Sequence, residues 1–356
     1  MQLVSGNSYN ICLSNSFEEF GLVVKEYVST KDKIFVVTDD KIAAIYVTLL
    51  KDLKSRYNCQ VIVIKNGEGN KNYDTISHIY EFLIEGNADR QSFIMALGGG
   101  VVGDLAGFAA ATFMRGIRFI NIPTSLISQV DSSVGGKVGY NFLNLKNSIG
   151  CFYEPAFVYI ATDFLTTLNK EEILNGMGEV IKYGLIKDVE LFQYIENNID
   201  RVLKLDNRTM MHIIYTCLNI KTKVVKEDFE DKNKRNILNF GHTVGHGLEI
   251  TSEYEVNHGT AVSLGMLPAI KLSEKILGLP KTVYTRVLNL YSKFGISDRY
   301  KVDNYSSFLY AIKHDKKNFN NLNFVLLRNI GQSEIKINVS EDELKWALDS
   351  SICKEN

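Results

Sequence analysis

Proline is scarce. Four residues in 356 (Pro123, Pro155, Pro268 and Pro280) leave no proline-rich linker to mark a domain boundary. Cysteine is scarce too: Cys12, Cys59, Cys151, Cys217 and Cys353 are odd in number, widely spaced and form no CxxC. That excludes a disulfide scaffold and a CxxC motif, and fits a reduced, cytoplasmic protein. No excess of one charge exists either. Forty Lys+Arg stand against 41 Asp+Glu, a formal net charge of −1, whereas general nucleic-acid binding carries a basic excess. No stretch of about 18 apolar residues is free of charges, so no membrane span is expected. The start, Met1 to Gly6, has neither the basic nor the apolar region of a signal peptide. With 45% hydrophobic and 23% charged residues, the chain is neither disordered nor collagen-like. At ~100–200 residues per domain, two domains are expected.

What is present divides in two. Short β-branched runs, 33–38, 60–64, 92–97 and 118–122, with a late one at 158–161, alternate with helical periodicity at 41–53, 75–84 and 104–114. Interleaved strands and helices predict a mostly parallel sheet covered on both faces, a Rossmann-like α/β domain over 1–165. Beyond Asp163 the pattern is helix after helix: 170–187, 189–205, 208–227, 236–250, 259–277 and 281–294. A small hairpin through Gly331 and a closing helix at 341–352 complete a mainly α-helical domain over 166–356. A cleft between two such domains is the default place for a ligand.

Three features carry chemistry. Gly98-Gly99-Gly100-Val101-Val102-Gly103 matches G-x-G-x-x-G between a predicted strand and helix, where backbone N–H groups and a helix N-terminus receive a pyrophosphate; glycines kept only for turn and packing are the plain alternative. The ribose-binding acid expected ~20 residues later is missing at Ile122-Pro123-Thr124, and the acids at a strand end are Asp39 and Asp40, upstream. His242 and His246 lie four apart on one helix face, with His258 following, a spacing suited to Zn²⁺ or, more plainly, one core and two surface histidines. Glu179, among small residues on an apolar helix, needs a cation, either a metal or Lys182 three residues on. Arg115, Lys137, Lys146, Lys182, Lys221, Arg235, Lys316 and Lys317 stand in or beside segments rich in Gly, Asn and Thr. If they converge they suit a phosphorylated, carboxylated substrate; singly each is a solvated surface cation.

The blocks G-G-G-V-V-G-D-L-A-G-F (98–108), M-R-G-I (114–117), P-T-S-L-I-S-Q-V-D-S-S-V-G-G-K (123–137), K-N-S-I-G (146–150), G-E-V-I-K-Y-G (178–184) and N-F-G-H-T-V-G-H-G-L-E (239–249) resemble the 3-dehydroquinate synthase family. The resemblance implies an NAD-binding α/β domain, a helical metal-binding domain and a homodimer. It implies that 3-deoxy-D-arabino-heptulosonate 7-phosphate is converted to 3-dehydroquinate and phosphate, with NAD catalytic and Zn²⁺ or Co²⁺ bound. The metal ligands it implies are Glu179, His242 and His258, with His246 a site histidine, whereas spacing alone favours the His242/His246 pair. The catalytic set adds Lys137, Asn147 and Lys182. NAD contacts fall on Asp39, Glu68, Lys71, Gly99, Gly100, Val101 and Asp104, and on Thr124, Ser125, Asp131, Lys137, Lys146, Thr166 and Thr167. Substrate contacts fall on Arg115, Asp131, Lys137, Asn147, Lys182, Lys221, Arg235, Asn239, His246, Lys316 and Lys317.

Four positions depart from the family pattern. Ser125 stands for Thr, Val138 for Thr after the G-G-K, Leu145 for Gly, and Asn233, a residue tolerant of left-handed backbone, for Gly. None removes a charged site residue. Another sugar-phosphate cyclase, a glycerol-dehydrogenase-like polyol dehydrogenase and a non-catalytic nucleotide-binding protein are the competing readings.

Overall fold

The computed structural model describes residues 1–143, 145–253, 255–313 and 322–353, so Lys316 and Lys317 lie outside the described residues. The chain forms two compact units: Met1–Asn169 with Met210–Lys226, and Lys170–Thr209 with Glu227–Asn356. Where the sequence suggests one boundary at 165/166, the chain returns to the first unit for most of one long helix.

The first unit holds β1 (Gln2–Ser5), β2 (Asn10–Ser14), α1 (Phe20–Tyr27), β3 (Ile34–Asp39), α2 (Asp40–Ile45), α3 (Val47–Arg56), β4 (Cys59–Ile64), α4 (Tyr73–Glu85), β5 (Phe93–Gly98) and α5 (Gly100–Thr112). It continues with β6 (Arg118–Pro123), the hairpin β7 (Lys137–Phe142) and β8 (Leu145–Phe152), and β9 (Phe157–Ala161). Seven strands form one sheet in the order β1-β2-β9-β6-β5-β3-β4. Within this sheet, among the described residues, only the β1/β2 pair is antiparallel. The alternation of side chains along β3 builds two cores at once: Phe35 and Val37 join Ile76, Ile79 and Leu83 of α4, while Ile34 and Val36 join Val23 and Val24 of α1. The chain steps from β3 outward to β4, then returns to place β5 on the other side of β3. That reversal makes the carboxyl ends of β3 and β5 a topological switch point, where open α/β sheets bind ligands.

The second unit is helical: α6 (Lys170–Lys187), α7 (Val189–Asn197), α8 (Ile199–Leu203), the start of α9 (Asn207–Glu227), α10 (His242–Thr251), α11 (His258–Leu277), α12 (Thr282–Phe294), α13 (Tyr305–Lys313) and α14 (Glu341–Asp349). The predicted hairpin is β10 (Asn323–Asn329) with β11 (Gln332–Asn338). α11 is buried almost all round from Gly259 to Ser273, as expected of a helix at the centre of a core. Among the described residues no helix is long and apolar enough to cross a membrane.

The structure corrects several sequence expectations. The helix expected at 41–53 is two helices, with Tyr46 between them at φ −109 and ψ 35. The helix expected at 189–205 breaks likewise at Asn198. The helix expected from Asn236 starts at His242, behind a tight turn over Lys234–Asn239 and left-handed Gly241. Asn233 is not left-handed (φ −144); Asp231, at φ 57, takes that conformation in the same loop. Val138 lies in the apolar core beneath α5, so its missing hydroxyl is replaced by a buried methyl.

Candidate active site

In the second unit, three helices meet by means of glycine. A Cβ on Gly178 of α6 would lie 2.2 Å from the carbonyl oxygen of Gly259, and one on Gly259 would lie 1.7 Å from that of Asn175. α6 and the start of α11 therefore touch backbone to backbone, and the Asn175 side chain accepts the Gly259 N–H at 2.6 Å. Gly241 turns the chain into α10 at φ +79, and a Cβ on Gly265 would lie 2.0 Å from its carbonyl oxygen. Larger residues at these places would push the helices apart.

The close approach brings Glu179, His242 and His258 together, with one ligand atom of each within 4.8 Å of the others. Glu179 is 0% exposed. Its Oε1 lies 3.4 Å from His258 Nε2 and 3.7 Å from His242 Nε2, and its Oε2 is ion-paired with Lys182, which is 1% exposed. Both Glu179 oxygens are buried without a hydrogen-bond partner among the described residues. The metal and lysine readings of Glu179 thus coexist in the geometry. Burial disfavours a charged His258 ring, but the carboxylates of Glu179 and Glu249 on either side of it outweigh that and push it up to about 9. One anionic oxygen and two imidazole nitrogens, with the carboxylate lacking hydrogen bonds, are a donor set that fits a divalent ion. His246 stands outside that group, its ring 5.5 Å from that of His242. The spacing-favoured pair is therefore not the set that converges.

Arg235 is buried and donates to the Phe229 carbonyl at 2.9 Å. Its loop is organised by Asp228, whose carboxylate accepts the backbone N–H groups of Lys232, Asn233 and Arg235 at 3.0, 2.7 and 3.0 Å. Asn239 donates to Asn236 at 3.2 Å.

In the first unit several of the predicted residues stand at or after the carboxyl ends of β3, β5 and β6, whereas Arg115 lies between α5 and β6, at the amino end of that strand. Asp39 ends β3 and caps α2, accepting the Ile42 N–H at 2.9 Å. Gly99 precedes α5, on whose first turn Gly100 and Val101 lie. None of Gly98, Gly99, Gly100 or Gly103 has positive φ. The need for glycine is one of room: a Cβ would lie 2.6 Å from Val102 at Gly98 and 2.9 Å from the Ser132 hydroxyl at Gly100. Lys71, 4% exposed, donates at 2.5 Å to both Asp104 and Asn147. Burial raises the Asp104 carboxyl above its ordinary value, against the pull of Lys71. Glu68 accepts from Asn141 at 3.0 Å, and Asn141 in turn accepts the Asn147 N–H at 2.7 Å.

Lys221, on α9, holds Asp131 through its carboxylate at 2.7 Å and its carbonyl at 2.6 Å. Thr124 closes onto Gly98 at 3.0 Å, and the Ser125 hydroxyl meets Ser128 at 2.7 Å. Thr166 donates to the Asp163 carbonyl at 2.7 Å, and Thr167 bonds the Tyr46 hydroxyl at 2.6 Å. Lys137 opens β7 and Lys146 sits on β8. Arg115 (φ 65) and Asn147 (φ 49) are left-handed, a strain that non-glycine residues hold mainly where function or packing demands it. Sequence reasoning missed Asn141, Asp228 and Glu249; Glu249 alone left a signal, standing seven residues after His242 on the same helix face.

Comparison with known proteins agrees in both units. The family described as 3-dehydroquinate synthase N-terminal matches residues 61–175, and that described as 3-dehydroquinate synthase C-terminal matches 176–318. A 3-dehydroquinate synthase of Clostridium tetani (strain Massachusetts / E88) is 49% identical over 353 residues, covering 99% of this chain and 95% of that protein. A 2-deoxy-scyllo-inosose synthase complexed with carbaglucose-6-phosphate, NAD⁺ and Co²⁺ shares the fold at TM-score 0.89 and 24% identity, covering 99% of this chain and all (100%) of that one. A 2-epi-5-epi-valiolone synthase from Streptomyces hygroscopicus subsp. jinggangensis 5008, with NAD⁺ and Zn²⁺ bound, does so at TM-score 0.90 and 23% identity, covering 98% of each. With a gathered acid and two histidines in one unit, a switch-point glycine turn in the other, and these matches across nearly its whole length, the chain belongs to the 3-dehydroquinate synthase family.

Proposed function

We infer that the chain is a 3-dehydroquinate synthase, converting 3-deoxy-D-arabino-heptulosonate 7-phosphate to 3-dehydroquinate and phosphate with catalytic NAD and a divalent metal, Zn²⁺ or Co²⁺. The observation that carries this reading, beside family membership, is the buried Glu179 carboxylate, without hydrogen bonds, facing the Nε2 atoms of His242 and His258. A bound metal there supplies positive charge that lowers the energy of an alkoxide at the carbon to be oxidised. NAD supplies a hydride acceptor that returns what it takes, and is not consumed.

This chain's residues do the rest. Glu179 gives the ion an anionic oxygen, and His242 and His258 bind it as neutral rings. His246 hydrogen-bonds substrate or water beside them. In the first unit the N-terminus of α5, with Gly99, Gly100 and Val101, receives the pyrophosphate of NAD. Asp39, Glu68, Lys71, Asp104, Thr124, Ser125, Asp131, Lys137, Lys146, Thr166 and Thr167 complete that site. Arg115, Lys137, Asn147, Lys182, Lys221, Arg235, Asn239 and one of Lys316 and Lys317 hold the substrate's carboxylate and phosphate. The acids at hand are engaged, Asp104 with Lys71, Asp131 with Lys221 and Glu179 with Lys182, so the departing phosphate serves as its own base. In this reading the NAD-binding domain is the unit Met1–Asn169 with Met210–Lys226, and the metal-binding domain is Lys170–Thr209 with Glu227–Asn356.

The enzyme acts as a homodimer in the cytoplasm. Free thiols at all five cysteines support the location. The β7–β8 hairpin supports a contact between copies by exposing Phe142, Leu143 and Leu145, Leu143 to 79%.

Incubation with the heptulosonate phosphate, NAD and Zn²⁺ tests the function. Release of phosphate without accumulation of NADH is the expected result. NADH formed in proportion to product points instead to a polyol dehydrogenase, and neither product would leave a non-catalytic nucleotide-binding protein.

A further inference from the structure

The helix that carries His242 ends in a second buried acid, Glu249, 3% exposed. A carboxylate so placed needs a partner. Its Oε1 lies 3.3 Å from Nδ1 of His258, the nitrogen on the far side of the ring from Glu179. An imidazole whose Nδ1 faces a carboxylate keeps its proton there, and the lone pair then sits on Nε2. His242 is set the same way by a weaker acceptor: its Nδ1 lies 3.1 Å from the Phe240 carbonyl oxygen. Two rings are thus aimed at one carboxylate, one held by a neutral carbonyl and the other by a full negative charge. His258 is also the first residue of α11, where the positive end of the helix dipole draws electron density from the ring. A carboxylate behind the ring opposes that loss.

We propose that Glu249 is the positioning residue of the metal site, accepting the Nδ1–H of His258 so that Nε2 points at Glu179 with raised donor strength. The proposal rests on the metal reading given above and extends it to a residue that touches neither ion nor substrate. A purely structural tie between α10 and the start of α11 is the competing role.

Zn²⁺ affinity, measured by competition with a chromophoric chelator, separates the two. E249A is expected to weaken Zn²⁺ binding 10–100-fold. E249Q, which keeps an acceptor but loses the charge, is expected to fall several-fold below the unaltered protein and above E249A. In an H258A background E249A is expected to add no further loss, because the effect runs through that ring. The Co²⁺-loaded E249A protein should show shifted visible bands, and its metal-free melting temperature should fall less than its metal-loaded one. Zn²⁺ affinity within twofold of the unaltered protein in E249A overturns the proposal, as does an equal loss in the H258A background. If E249A does not fold, E249Q decides by the same twofold criterion. E179A is the control: if it binds Zn²⁺ as tightly as the unaltered protein, the metal reading itself has failed. If E179A loses Zn²⁺ and E249A does not, only the role of Glu249 has failed.

Discussion

The charged cluster of the first unit and that of the second are built on opposite terms. Around Lys71 the groups satisfy one another: Lys71 bonds Asp104 and Asn147, Asn141 bridges Glu68 and Asn147, and Lys221 holds Asp131 twice over. Around Glu179 they do not: Lys182 supplies charge, yet neither carboxylate oxygen has a hydrogen bond among the described residues. The first arrangement is preorganised, with its polar groups fixed before any ligand arrives. The second carries a desolvated charge that a bound cation would stabilise far more than Lys182 alone.

The largest effect is expected from removing that charge. Glu179→Gln should lower Zn²⁺ affinity more than 100-fold and nearly abolish turnover, read as metal retained after dialysis and as phosphate release. Retention of both would remove the contrast between the clusters. Next is Gly259→Ala, whose Cβ would meet the Asn175 carbonyl at 1.7 Å. It should cost about 3 kcal/mol in denaturant unfolding and lower metal retention with it.

Lys71→Met tests the self-satisfied side. Leaving Asp104 without its cation should cost about 2 kcal/mol, below the figure for a fully buried pair because Asp104 is partly exposed. The sign with pH follows from burial. A carboxyl whose folded pKa is raised costs stability at neutral pH and ceases to do so below its ordinary value of 3.8. The deficit of this variant should therefore shrink from pH 7 to pH 4; a deficit constant over that range would show that Asp104 is not its source. The smallest effect is expected from Lys146→Ala, a several-fold loss of NAD or substrate affinity by calorimetry with no change in melting temperature; unchanged affinity for both would count against its place in the site.

Much of this was legible in the residues. β3, β5 and β6 were visible because parallel strands buried on both faces read as unbroken apolar runs. The hairpin β7–β8 was not, since Gly139, Gly150, Asn141 and Asn147 give its strands the composition of a loop. Glu179, His242 and His258 were nameable, but spacing alone pointed to His246 in place of His258. Helical periodicity sees neighbours on one helix, and His258 arrives from another by way of glycine contacts that no local pattern encodes. Asp228 was invisible for a similar reason: its three bonds go to backbone, which carries no residue-type signal.

The detour of α9 has a consequence for biosynthesis. Its segment Met210–Lys226 belongs to the unit that otherwise ends at Asn169, and it brings Lys221 to Asp131. During translation the nascent α/β half must wait, one piece short, until the ribosome has passed Lys226. A gene fragment cut after Asn169 should yield a product prone to proteolysis, and supplying the missing helix as a separate peptide is the natural rescue.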